Sequence, residues 1–230
     1  MNYFLEMTEQ KPIVSFGIIT DIHYTDNDDQ WNFSQTFVRR YRNSLKLVRE
    51  ACEYWQTSSN KISFLLQLGD IIDRLCSLDQ TSNKALETVL KEFEHFPTIY
   101  HIWGNHEFYN FTRSQLLNGP LCSFDTKDIS PYHYGTIQVS PNLKILAIDT
   151  YEFSLLGIDK SSDSYIEALN FRRQYNTSEN LNDTTGLDGN DRRLVELNGA
   201  LTKKQLDWLR QELNEAKIRR ENVIIIGKRT

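Results

Sequence analysis

The sequence predicts an α/β fold built on a parallel sheet, and three observations support that expectation. Strand-like and helix-like patterns alternate along residues 13–103, each strand-like run stops abruptly at a polar break, and the intervening helices are long enough to serve as crossovers. In such sheets ligands bind beyond the carboxyl ends of the strands, which is where all three polar breaks fall.

The first element is IVSFGIIT (13–20), an apolar, β-branched run that ends in DIHYTDNDDQ and reads as a buried strand feeding a loop. From about Gln35 to Gln56, apolar residues recur at Phe37, Tyr41, Leu45, Val48, Cys52 and Trp55, the three- and four-residue spacing of an amphipathic helix. The unit repeats with ISFLLQL (62–68), the break GDIIDR, and a helix carrying Leu86, Val89, Leu90, Phe93 and Phe96. A third strand, TIYHIW (98–103), breaks at GNHEFYN.

Further along, YHYGTIQVS (132–140), Pro141-Asn142 and LKILAIDTYE (143–152) read as an antiparallel hairpin. Residues 154–200 are rich in Asn, Asp, Ser and Gly and predict a long, partly helical surface excursion. Thr202 and Gln205 have capping-box spacing, opening a helix lined by Leu206, Leu209 and Leu213. The apolar run Val223–Ile226 then reads as a strand buried on both faces, followed by Gly227 and Lys228.

With 230 residues, 39% of them hydrophobic and 25% charged, the chain has the composition of one globular domain rather than a disordered segment. A net charge of −5 gives no basic footprint for nucleic acid or an anionic membrane, so a phosphate ligand has to meet local cations. Three widely spaced cysteines without a CxxC pattern fit a reducing compartment. MNYFLEMTEQKP is acidic where a signal peptide is basic, and no apolar run reaches the ~20 residues of a membrane span. A soluble, cytoplasmic protein is the expectation.

The three breaks hold the chemistry. Asp21-x-His23 on an extended segment sends two metal-ligand side chains to one side. Gly69-Asp70 turns a carboxylate into a crowded strand end, and Gly104-Asn105-His106-Glu107 adds an amide oxygen and an imidazole. Any one fragment is ordinarily just a turn. Three of them at the ends of neighbouring parallel strands define a site. Mixed carboxylate, imidazole and amide donors suit Mn²⁺, Zn²⁺ or Fe²⁺ better than calcium.

D-x-H, G-D-x-x-D (Gly69, Asp70, Asp73) and G-N-H-E together resemble the motif series of the calcineurin-like metallophosphoesterases. QLGDIID, WGNHEFYNF, LGIDKSS and LNGALTKKQLDWL are similar, more narrowly, to the manganese-dependent ADP-ribose/CDP-alcohol diphosphatases. The resemblance implies an α/β/β/α sandwich in a single domain over 1–230, and hydrolysis of the diphosphate link of ADP-ribose, CDP-choline and related nucleotides with two divalent ions, Mn²⁺ being the metal it points to. It implies that Asp21 and His23 hold the first metal, Asp70 bridges, Asn105 binds the second, and His106 stabilises the developing charge or protonates the leaving oxygen.

Asp73 matches the motif as a group that orients its neighbours. Arg39, Arg40 and Arg42 read as a solvated helix face, and Phe108 and Tyr109 as packing. No residue is assigned to gripping the nucleotide, and no oligomeric state is implied.

Members of that family place a histidine after the strand matching Val223–Ile226 and, later, a Gly-His-x-His motif. Here Lys228 stands where the first of these belongs, and a protonated lysine has no lone pair to give a metal. The expectation is a C-terminally shortened chain with its second sheet incomplete. Two alternatives remain: a non-catalytic form that binds metal or nucleotide weakly or serves as a partner chain, and a protein phosphatase of the same superfamily.

Overall fold

The computed structural model describes residues 14–32, 34–59, 61–124 and 131–228, so Ile13, Arg229 and Thr230 lie outside the described residues. In chain order, β1 (Gly17–Ile19) leads to a small antiparallel ribbon, β2 (Gln30–Trp31) with β3 (Val38–Arg39), and then to α1 (Tyr41–Thr57). Next come β4 (Leu65–Leu68), a single turn α2 (Leu75–Leu78), α3 (Ser82–Glu92), β5 (Ile99–Ile102), and two short helices, α4 (Asn105–Asn110) and α5 (Arg113–Asn118). The hairpin β6 (Gly135–Ser140) and β7 (Leu143–Ala147) follows, then β8 (Phe153–Ser154), α6 (Asp163–Arg173), a 3₁₀ turn over Gly189–Arg193, β9 (Gly199–Ala200), α7 (Lys203–Arg219) and β10 (Asn222–Ile226).

The predicted parallel sheet is present, in the order β1-β4-β5. A second sheet has the order β10-β7-β6, with β10 parallel and β6 antiparallel to β7. Alternation along β4 shows how the layers stack. Leu65 packs with Leu45, Val48, Cys52, Leu86 and Val89 of α1 and α3. Leu66 points the other way, joining Phe64 and Ile102 against Ile137, Ile145, Ala147 and Ile226 of the second sheet. With α7 against β7 and β10, the layers are helix, sheet, sheet, helix.

Four expectations need correction. The first long helix starts at Tyr41 rather than near Gln35, because the Asn32 side chain accepts hydrogen bonds from the backbone N–H groups of Thr36 (2.8 Å) and Phe37 (3.2 Å). That side-chain turn competes with helix, so Phe37 is 56% exposed and Arg39 falls on β3 instead of a helix face. The final strand is not buried on both faces: Ile224 and Ile226 meet the inter-sheet core, whereas Ile225 faces the opposite side and is 47% exposed.

On α7, the Thr202 side chain does accept from Gln205 N, but the Gln205 amide does not return to the cap. It bonds instead to Asp149 N and O and to the Glu152 carboxylate. The Leu206 and Leu213 stripe stays exposed as a result, while Gln205 and Ala216 are buried. The excursion at 154–200 is better ordered than its composition implies. Leu155, Ala168 and Leu181 form a small core, and the buried Arg172 guanidinium donates to the carbonyls of Val195, Ala168 and Asn198.

Candidate metal centre

Main-chain pairing sets the site. Beyond β1 and β4 the two strand-end loops run on side by side, with Asp21 N donating to Gly69 O (3.1 Å), His23 N to Asp70 O (3.0 Å) and Tyr24 N to Ile71 O (3.2 Å). Asp21, His23 and Asp70 all adopt left-handed backbone, with φ of 56°, 48° and 57°, beside Gly69 at 89°. Such conformations are costly for residues bearing a Cβ and cluster at functional sites. Asp21 and His23 therefore converge, as expected, but through left-handed turns rather than an extended segment. His23 Nε2 lies 3.5 Å from Asp21 Oδ1.

The third loop is tied in by Glu107. Its buried carboxylate accepts from Asp70 N (2.9 Å), Ile71 N (2.8 Å) and Gly104 N (2.6 Å), which clamps the ends of β4 and β5 together. Burial and the nearby Asp70 charge push its pKa up against these hydrogen bonds. At the start of α4, His106 N donates to Asp70 Oδ1 (3.0 Å), so that one oxygen of Asp70 is held by backbone and the other faces the site. Gly104 is required by this approach, since a Cβ there would sit 2.3 Å from Asp70 Oδ1. Asn105 is buried as the first residue of α4.

Two clusters flank His23. On its Nε2 side, Asp21, His23 and Asp70 each bring a ligand atom to within 4.8 Å of the others. On the other side, His23 Nδ1 lies 3.5 Å from Asp73 Oδ2, buried and without a hydrogen-bond partner. Asp73 also accepts from Arg39 Nη1 (2.8 Å) and Leu75 N (3.0 Å). Burial alone pulls the His23 imidazole down, but Asp21, Asp73 and Asp70 outweigh it and push it up to about 9. His23 in turn is the main influence holding Asp21 well below the usual carboxylate range against burial, with Lys228 and Thr20 assisting.

His106 has a different character. Its Nδ1 accepts from Arg74 N (3.1 Å), which leaves Nε2 to carry the proton of the neutral ring. Burial, reinforced by the neighbouring His23, lowers it to about 4. The proton-donor role that the resemblance implies for His106 calls for an imidazole titrating near neutrality. The buried ring, packed edge-on against His23 at 4.2 Å between centroids, explains the difference.

The donor set fits a divalent metal. Two carboxylates and an imidazole converge at Asp21, His23 and Asp70, a combination suited to ions of intermediate hardness. The trio His23, Asp73 and His106 fits less well, because His106 Nδ1 and Asp73 are already engaged by Arg74 and Arg39. Lys228 enters the first trio from β10, placing its Nζ 2.5 Å from Asp21 Oδ2 and 3.2 Å from Asp70 Oδ2. The final strand therefore delivers its residue to the site from the second sheet, across from the sheet that holds β1, β4 and β5.

Three other participants escaped the sequence reading. Glu107 read equally as a local charge partner or a catalyst, with nothing to mark it as a clamp. Arg39 read as solvated, and Thr20, whose Oγ1 donates to Asp21 Oδ2 at 2.7 Å, carried no signal at all. Phe108 packs on Trp103 and Tyr151, while Tyr109 lies against His106 and under Arg74 at the rim.

Strand-end carboxylates and imidazoles at the crevice of a two-sheet sandwich define a metal-dependent phosphoesterase scaffold, and residues 14–228 match the calcineurin-like phosphoesterase family, to which the chain belongs. Among relatives, the chain is 38% identical to a manganese-dependent ADP-ribose/CDP-alcohol diphosphatase of Xenopus tropicalis, over 95% of this chain and 68% of that protein. It is 34% identical to the protein of the same name in Homo sapiens, over 94% of this chain and 66% of that one. The chain thus spans about two thirds of the length of the curated relatives it matches. A solved dimetal phosphatase from Danio rerio superposes with a TM-score of 0.89 at 32% identity, covering 94% of this chain and 70% of that one.

Proposed function

We propose that this chain is a metal-dependent nucleotide diphosphatase that hydrolyses ADP-ribose, CDP-choline or related CDP-alcohols to AMP or CMP. The observation that supports it most is the convergence of Asp21, His23 and Asp70 on one point at the ends of β1 and β4. The names of the relatives supply the substrate class and point to manganese.

Asp21 and His23 would hold one ion, Asp70 would bridge, and Asn105 would serve the second. Bound divalent ions supply charge neutralisation for the diphosphate and lower the pKa of water toward ~7, so that hydroxide is accessible at neutral pH. In the reaction a P–O bond to the bridging oxygen breaks, water's oxygen joins the attacked phosphorus, and a nucleoside monophosphate departs.

The protein's own groups orient and stabilise. Asp73 faces the His23 ring at 3.5 Å from Nδ1, on the side from which outer carboxylates commonly orient ligating imidazoles. His106, neutral with its proton on Nε2, is suited to donate a hydrogen bond to a phosphoryl or leaving oxygen rather than to cycle a proton. Glu107 and Gly104 keep Asp70 in place. Three free cysteines, and the lack among described residues of any helix long and apolar enough to cross a membrane, support a cytoplasmic setting.

The test is incubation with Mn²⁺ and ADP-ribose, CDP-choline or a phosphopeptide. Release of AMP and CMP, abolished in Asp70→Asn, is expected. Release of phosphate from the peptide alone would assign a protein phosphatase, and no release from any substrate would reject activity for this chain.

A further inference from the structure

Lys228 belongs to neither the strand ends nor the loops that build the acidic centre, yet it is 8% exposed and reaches the middle of it. It follows β10 in the second sheet, and its carbonyl is fixed there by a hydrogen bond from Thr150 Oγ1. From that point its aliphatic stem crosses to the first sheet through the gap left by the two motif glycines. A Cβ on Gly69 would come within 3.0 Å of Lys228 Cγ, and one on Gly104 within 3.1 Å. The ammonium then meets Asp21 Oδ2 at 2.5 Å, Asp70 Oδ2 at 3.2 Å and Thr20 Oγ1 at 3.4 Å.

Asp21 and Asp70 are also two of the three groups whose ligand atoms converge as a metal-binding trio. A cation held by both carboxylates leaves no room for a second between them. Like charges this close repel strongly wherever water is partly excluded, and a protonated amine has no lone pair with which to join a coordination shell. The stem is confined as well as the head, so the fit is built by backbone geometry rather than by a surface side chain lying where it can.

We infer that Lys228 is a tethered counter-cation of the Asp21–Asp70 centre, and that a divalent ion enters this centre only by displacing its ammonium. The inference rests on the metal reading proposed above. It makes the metal-free centre electrically balanced without a bound ion and lowers the apparent affinity for one. A neutral side chain of similar length removes the competitor and keeps the stem that fills the gap between the glycines.

Titrating the chain with MnCl₂ by calorimetry tests this directly. Lys228→Met is expected to bind Mn²⁺ at least about tenfold more tightly than the wild type. A second readout needs no variant: acetic anhydride labelling of Lys228, followed by mass spectrometry of the peptide beginning at Asn222. Labelling is expected to be slow in the metal-free protein and to accelerate at saturating Mn²⁺. If Lys228→Met does not fold, this second readout decides.

Equal Mn²⁺ affinity in the two proteins, or labelling indifferent to bound Mn²⁺, would overturn the inference while leaving the metal reading intact. Failure of both proteins to bind Mn²⁺ would overturn the metal reading and the inference with it.

Discussion

The loops ending β1, β4 and β5 and the segment after β10 reach the same centre by different means. The first three are held by main-chain hydrogen bonds, by the buried Glu107 carboxylate and by a glycine that no other residue replaces. The fourth arrives as one side chain from the opposite sheet. The acidic half of the centre is thus part of the fold, whereas the cationic half is a single replaceable group. Damage to the first half is expected to cost stability and metal binding together. Changes at Lys228 are expected to alter which cation the centre holds.

The largest effect separating the two halves belongs to Glu107. Glu107→Ala strands three buried N–H groups, and denaturant unfolding is expected to show a loss on the order of 4 kcal/mol, with Mn²⁺ binding abolished. A variant with wild-type stability would show that the clamp is dispensable.

Acid sharpens the contrast next. His101 and His133 are lowered to about 4 and about 3 by burial, between β4 and Trp103 and away from the metal trio. Their folded pKa values lie below the unfolded 6.5, so their stabilisation is complete above pH 6.5 and lost as pH falls toward 4. With one proton each taken up on unfolding, these two histidines contribute a slope approaching about 2.7 kcal/mol per pH unit, and His106, lowered to about 4, adds to it in the same direction.

His23 has the opposite sign. Raised to about 9, it stabilises the metal-free protein fully below pH 6.5 and loses that contribution as pH rises through 9. The melting temperature of metal-free protein should therefore be highest near pH 6.5. A profile still rising at pH 9 would contradict the His23 assignment.

Two smaller changes follow. Gly104→Ala drives a methyl into Asp70 Oδ1 and is expected to cost about 2 kcal/mol and weaken Mn²⁺ binding. Arg39→Met breaks the pair with Asp73, in which Arg39 is partly exposed, and is expected to cost about 1 kcal/mol. In the second case a calorimetric Mn²⁺ titration is the sharper readout, because Asp73 faces His23.

The parallel strands and the convergence of Asp21, His23 and Asp70 were legible because each strand end is punctuated locally, by Asp21-x-His23, by Gly69-Asp70 and by Gly104-Asn105. What escaped the sequence depends on partners distant in the chain. Glu107 is recognisable as a clamp only once Asp70 and Ile71 are beside it, and Arg39 only once Asn32 has turned the chain out of helix. The α7 stripe misled because Gln205, a polar residue, found buried partners in Asp149 and Glu152 that outcompeted leucine burial. Lys228 was visible as a substitution for a ligand, but its contact with both carboxylates required the second sheet to be placed.

The most direct test of the whole account is a crystal structure of the chain soaked in MnCl₂, with anomalous scattering measured at the manganese edge. The account predicts a manganese peak bounded by Asp21, His23 and Asp70, with the Lys228 ammonium withdrawn from both carboxylates. A site without anomalous signal, with Lys228 still bridging Asp21 and Asp70 at saturating Mn²⁺, would contradict it.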